Sequence, residues 1–168
     1  MTTLRPDLTF LLAHPAHLIA FGFGSGLAPK APGTVGTLLG LPLFWLIVAL
    51  APDLPNQIIL LIATFLLGVW ACGRTGRALG VADHGGMVWD EIVAFALVLL
   101  FTPVVSLSTA GLVWTALAFG LFRLFDIAKP WPIRIADVRL KNGFGVMFDD
   151  LLAAAYAIAA LKGLQWLA

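Results

Sequence analysis

Apolar residues along this chain gather into five long runs, and most of the charged residues fall between or at the ends of those runs. The runs cover about residues 34–51, 56–72, 87–101, 109–125 and 148–166, each close to the ~17–25 residues that a helix needs to cross a bilayer. The third is the shortest in apolar length, and it spans only if Asp90 and Glu91 sit at the headgroup level. An apolar patch from Leu8 to Ala20, interrupted by His14, Pro15 and His17, precedes the runs. It reads as an interfacial helix lying on the bilayer, and no small-residue cleavage site follows it, so a removed signal peptide is not expected. Residues 22–34 hold too much Gly and Pro for a helix interior and read as a loop. The pattern therefore predicts one all-α domain over residues 1–168. Its N-terminal interfacial segment and Gly-rich loop occupy residues 1–33, and a polytopic membrane bundle of about five spans occupies residues 34–168.

Composition supports a membrane class. Hydrophobic residues make up 61% of the 168-residue chain and mean hydropathy is +1.00, against an apolar content of about 45–50% in soluble domains. A net charge of +1 excludes nucleic acid as a partner, since a polyanion needs a face of clustered cations. The single cysteine, Cys72, excludes an internal disulfide and a cysteine-based zinc site. It reads as packing, and the six Trp, Trp89 and Trp166 among them, read as an aromatic belt.

Charge then orients the bundle. Arg5 and Lys30 precede the first run, Arg74 and Arg77 lie between the second and third, and Arg123, Lys129, Arg134, Arg139 and Lys141 lie between or near the fourth and fifth. The other two connections carry no Lys or Arg. Five crossings bring all three cationic segments to one side, which by the positive-inside rule is the cytoplasm. Lys162, the exception, can snorkel to the far interface.

Acids gather on that same side. Asp90 and Glu91 open the third run, Asp126 closes the fourth, and Asp149 and Asp150 open the fifth. Paired acids at helix N-termini could simply complement the helix dipole. Asp126, at a C-terminus, could pair with Arg123 one turn earlier. Adjacent acids occurring twice at a membrane edge repel each other, however, unless a cation is present, and five carboxylates suit a hard ion such as Mg²⁺. The loop from Ser25 to Thr34 is either a plain connector or a phosphate cradle of backbone donors, with Ser25, Lys30 and Thr34 adding side chains. Lys129 and Arg134 bracket the stiff Pro130-Trp131-Pro132 and serve headgroup contact, substrate phosphate, or both. His84 is a candidate proton donor to a leaving group, or a solvated loop histidine. His14 and His17 read as interfacial.

Four stretches together carry a family resemblance: Phe21-Gly22-Phe23-Gly24-Ser25-Gly26-Leu27-Ala28-Pro29-Lys30-Ala31-Pro32-Gly33-Thr34, Val88-Trp89-Asp90-Glu91, Phe122-Arg123-Leu124-Phe125-Asp126-Ile127-Ala128-Lys129-Pro130-Trp131-Pro132-Ile133, and Gly143-Phe144-Gly145-Val146-Met147-Phe148-Asp149-Asp150. In this order they resemble the bacterial phosphatidylglycerophosphatase A family. The resemblance runs from about Pro15 to the last apolar run. It implies a Mg²⁺-dependent inner-membrane enzyme that dephosphorylates phosphatidylglycerophosphate. In that reading Asp90, Glu91, Asp126, Asp149 and Asp150 hold the metal and His84 joins them in catalysis. Ser25, Lys30, Thr34, Arg123, Lys129 and Arg134 bind substrate, and the acyl chains stay in the bilayer. Water attack is the expected route, with an aspartyl-phosphate intermediate as the alternative.

Two other classes compete. A CDP-alcohol phosphotransferase also clusters aspartates at helix ends, but its longer Gly-punctuated motif is absent. An ion transporter would place ionisable residues near the bilayer midplane, whereas the acids here gather at one interface.

Overall fold

The computed structural model describes residues 6–103 and 105–167, and every regular element among them is helical. Arg5, counted above with the first cationic segment, lies outside the described residues. The N-terminal patch forms two short helices, α1 (Leu8–Leu12) and α2 (Pro15–Ala20). Asp7 Oδ1 caps the first by accepting from the Phe10 N–H at 2.8 Å. His14 Nδ1 accepts from the Ala16 N–H at 3.0 Å, and Pro15 takes the first helical position, where a missing N–H costs nothing. The second helix packs on the C-terminal end of α5. Its His17 is buried, with Nδ1 3.0 Å from Thr75 Oγ1. A tight double turn follows over Gly22–Leu27.

The first apolar run is split in two, α3 (Pro32–Leu38) and α4 (Gly40–Leu50). The break at Leu39 follows from Pro42, which has no N–H to give the Leu38 carbonyl four residues back and whose ring crowds it. Next come α5 (Leu54–Leu79), α6 (Trp89–Leu100) and α7 (Thr109–Ala128). A short α8 (Ile133–Arg139) and a long α9 (Gly143–Leu167) complete the chain.

Four of the expected runs are helices long and apolar enough to cross a membrane: residues 32–50, α5, α7 and α9. The remaining run, the third, forms α6, which has 12 residues, about 18 Å of length. Nine of them, including Ile92, Phe95 and Val98, are buried, because α3, α4, α5, α7 and α9 all pack around this helix. It is the axis of the bundle, and the alternation of direction that five runs require is kept. Large apolar side chains such as Leu46, Ile59, Leu66 and Leu112 face outward, the inverse of a soluble surface and the natural state of a wall in lipid. Trp45, Trp70 and Trp166 are exposed in keeping with an aromatic belt. Trp89 corrects that reading, since it is buried and its indole N–H donates to the Thr64 carbonyl at 3.0 Å.

Candidate active site

All the acidic motifs meet at one end of the bundle, where α3 and α6 begin, α7 ends, and α9 passes through its second turn. The start of α6 is fixed by the Val88 N–H, which donates to the Ala20 carbonyl at 2.8 Å. From there Asp90 and Glu91 occupy the first turn, as expected, and Asp90 Oδ1 accepts from the Glu91 N–H at 3.0 Å.

Two cations divide the acids. Arg123 Nη1 lies 2.6 Å from Asp126 Oδ2 and 2.8 Å from Glu91 Oε1, so the same-helix pair expected for Asp126 exists and extends to a second helix. Lys129 Nζ lies 2.6 Å from Asp149 Oδ2 and 3.1 Å from Asp137 Oδ1. Burial alone would lower the Lys129 pKa, but the hydrogen bonds and charges of Asp149 and Asp137 outweigh it and hold the ammonium above its ordinary value. The residue closes α7 in the left-handed region, at φ 40°. A non-glycine residue there stores strain of order 1–3 kcal/mol, and that conformation goes with the turn of the side chain back toward Asp149.

Asp149 and Asp150 do not open α9. The helix starts at Gly143, so both acids sit well past the first turn, beyond the reach of the N-terminal dipole. Their burial, 5% and 3% exposed, therefore has no capping explanation. Among the described residues no cation pairs with Asp150 or Asp90. Asp150 lies within electrostatic reach of Asp90, Asp126, Asp149 and Glu91, and its Oδ2 is buried without a hydrogen-bond partner.

The remaining predicted residues separate into inner and outer positions. Ser25 has a buried hydroxyl without a partner, and the glycine loop around it is held by close packing. Gly22, at φ 52°, has no room for a side chain against Ser25, Ile92 and Val88, and Gly26 meets the Gly86 backbone. Lys30 and Arg134 are exposed. Thr34 makes no side-chain hydrogen bond among the described residues, while Thr37, one turn on, does. His84 Nδ1 accepts from the Gly86 N–H at 3.1 Å, which leaves the ring proton on Nε2.

Three site residues escaped the sequence reading. Thr37 is fully buried. Its hydroxyl donates to the Gly33 carbonyl at 2.8 Å and lies 3.4 Å from both Glu91 Oε2 and Arg123 Nη1. Its signal was the Gly33-x-x-x-Thr37 spacing, which puts both residues on the face of α3 turned to Glu91. Asp137, between the fourth and fifth runs, is the second, with Oδ1 3.1 Å from Lys129 Nζ. Asp83, next to His84, is exposed at the surface, yet its charge acts on both Asp90 and Asp149. Among the described residues no three metal-binding side chains stand close enough to share an ion as they lie. The donors are nonetheless all carboxylate oxygens, the kind that hard cations prefer, and the orphaned Asp150 Oδ2 is an acceptor in need of a partner.

Comparison with known proteins agrees with these motifs. Residues 18–165 match the family model described as Phosphatidylglycerophosphatase A. A protein of that name from Haemophilus influenzae is 45% identical over 99% of this chain and 98% of its own length. Another of that name, from Escherichia coli K12, is 38% identical over 89% of this chain and 83% of its own. A relative from Bacteroides thetaiotaomicron, 36% identical over 89% of this chain and 92% of its own, is named as a candidate phosphatidylinositol-3-phosphatase. No solved structure matches the chain.

Proposed function

The chain belongs to the phosphatidylglycerophosphatase A family, and on that premise we propose that it hydrolyses phosphatidylglycerophosphate to phosphatidylglycerol and inorganic phosphate. The observation that carries the proposal to this site is that three of the four buried side-chain polar atoms without partners among the described residues stand on its motifs, the fourth being Gln165 Nε2 near the end of α9. Arg123 Nε and the Ser25 hydroxyl are free donors, and Asp150 Oδ2 is a free acceptor. Leaving such groups unpaired costs about 1–3 kcal/mol each, a cost that a bound phosphate and its counter-ion would remove.

Arg123 holds one phosphate oxygen through Nε while Nη1 stays on Glu91 and Asp126. Lys129 spends two of its three donors on Asp149 and Asp137 and gives the third to a second oxygen. Water attacks phosphorus in line with the glycerol oxygen, the bond from phosphorus to that oxygen breaks, the leaving oxygen takes a proton from His84 Nε2, and a proton of the attacking water passes back to that nitrogen. Asp90, Glu91, Asp126, Asp149 and Asp150 are the proposed holders of Mg²⁺, which when bound supplies charge neutralisation and a more acidic water. Lys30, Thr34 and Arg134, on the outer side, meet the anionic headgroup layer. The bundle sits in the bacterial inner membrane with this end in the cytoplasm, a reading supported by the cations gathered there.

Phosphate release from phosphatidylglycerophosphate in detergent micelles tests the assignment, with Mg²⁺ and with excess EDTA. Release that stops in EDTA is expected. Release that persists in EDTA would remove the metal from the proposal, and folded protein that releases nothing would reject the reaction. Because one relative is named for another lipid, phosphatidylinositol 3-phosphate belongs in the same assay, with slower release expected.

A further inference from the structure

Among the described residues, an apolar groove on α6 and another beside it run between helices of the bundle, and they differ in where they lead. One lies between α5, α6 and α9, with a volume of about 360 Å³. Its walls include Ile62, Phe65, Leu97 and Leu151, and its lining includes one charged residue, Asp90. The other lies between α4 and α5, has a volume of about 210 Å³, and is lined by apolar residues and Thr64 with no acid.

Along α6 the lining of the first groove is Asp90, then Val93 and Ala94, then Leu97. That spacing is one helical stripe, so the groove follows the helix for about 10 Å. Asp90 marks its head because it stands in the first turn, at the end where the acids meet. The foot lies toward the N-terminal end of α5, where Ile58 and Leu61 join the lining. A molecule with a polar end at the acids and an apolar tail along α6 would fit both parts.

We infer that this groove seats an acyl chain of the substrate lipid and so fixes the height of the scissile phosphate above the acids. The inference rests on the phosphatidylglycerophosphatase reading and goes beyond it, since it takes one chain out of the bilayer and into the protein. Lipid tails are as apolar as Leu side chains, so the move gains little affinity. Its effect is positional, and misplacement of a reacting group by about 1 Å can cost up to a hundredfold in rate. The groove therefore acts on kcat far more than on KM.

A phosphatidylglycerophosphate carrying a diazirine halfway along one acyl chain is the probe, used with the purified full chain in nanodiscs. Photolabelling is expected on α5 and α9 at Ile62, Phe65 or Leu151, and excess unlabelled substrate is expected to remove it. Labelling that is spread over both grooves, or that substrate does not compete, would mean contact with bulk lipid only and would overturn the inference. Ile62 is half exposed at the groove wall, so Ile62→Trp fills the groove without opening the core. It should lower kcat on long-chain substrate about tenfold with KM little changed. Ala63→Trp, in the second groove, should keep wild-type kcat, and equal values for the two variants would also overturn the inference. Phosphate release by wild-type protein is measured alongside. Its absence sinks the reaction and the inference together, while release with uncompeted labelling sinks the groove alone.

Discussion

Arg123 and Lys129 each bind two acids on different helices, so a single side-chain change tests what the pairing does. Asp126→Asn keeps shape and a hydrogen-bond acceptor for Arg123, and it removes the charge. It should lower turnover by at least ~10²-fold, the scale for losing one preorganised electrostatic contact, while membrane insertion is unchanged because α7 loses no apolar length. Wild-type turnover by purified Asp126→Asn would reject the site assignment. Thr37 is the subtler case. Its hydroxyl lies between the Gly33 carbonyl, Glu91 and Arg123, and hydrogen bonds to charged groups contribute about 1.5–3 kcal/mol. Thr37→Val should therefore cut kcat/KM by roughly tenfold or more, with Thr37→Ser restoring most of it. The five acids were legible in the sequence because carboxylates are conspicuous in so apolar a chain. Thr37 was not, because a threonine in an apolar run looks like any other span residue until its neighbours across the bundle are known.

Helix ends were where the sequence misled most, and glycine is the reason. The polar stretch from Gly73 to Arg77 and the Gly143-Phe144-Gly145 segment both fall outside the five apolar runs, yet both are helical. In a membrane bundle glycine marks close approach of helices as often as a break. A side chain on Gly143 would strike the Val69 carbonyl and the Gly73 backbone of α5, so α5 and α9 touch backbone to backbone there. That contact places Asp149 and Asp150 inside the bundle, where a helix beginning at Phe148 would have left them at its rim. Two substitutions separate packing from chemistry. Gly143→Ala meets backbone that cannot yield, and overpacking typically costs ~1–3 kcal/mol, so the thermal midpoint in detergent should fall by several degrees with activity. The nearest atoms that a side chain on Gly33 meets belong to the Glu91 carboxylate, the far end of a flexible side chain that can swing aside. Gly33→Ala should leave the midpoint near wild type and reduce kcat. A midpoint that falls as far as for Gly143→Ala would show that Gly33 serves packing instead.

At the scale of the whole molecule, the five-run pattern was legible because hydropathy reports what faces lipid, but it could not separate a wall from an axis. The third run is as apolar as the others. Its 12-residue helix is apolar because α3, α4, α5, α7 and α9 surround it, and only its length hinted at the difference. The direction of α6 still sets the topology. It leaves the acidic end, and α7 returns, so Leu107 between them, 92% exposed, stands at the opposite end from Arg134. The chain offers a clean way to test which end faces inward, because its one cysteine, Cys72, is buried and can be replaced by Ala. In that background Leu107→Cys should react with a membrane-impermeant maleimide on intact spheroplasts. Arg134→Cys should react only after the membrane is opened. The cationic segments dictate this order, since their described members, Lys30, Arg74, Arg77, Arg123, Lys129, Arg139 and Lys141, lie at the Arg134 end and cytoplasmic loops are enriched in Lys and Arg. The reverse order would place the acids on the outer face of the membrane, and the cytoplasmic reading of the site would fall while the fold stood.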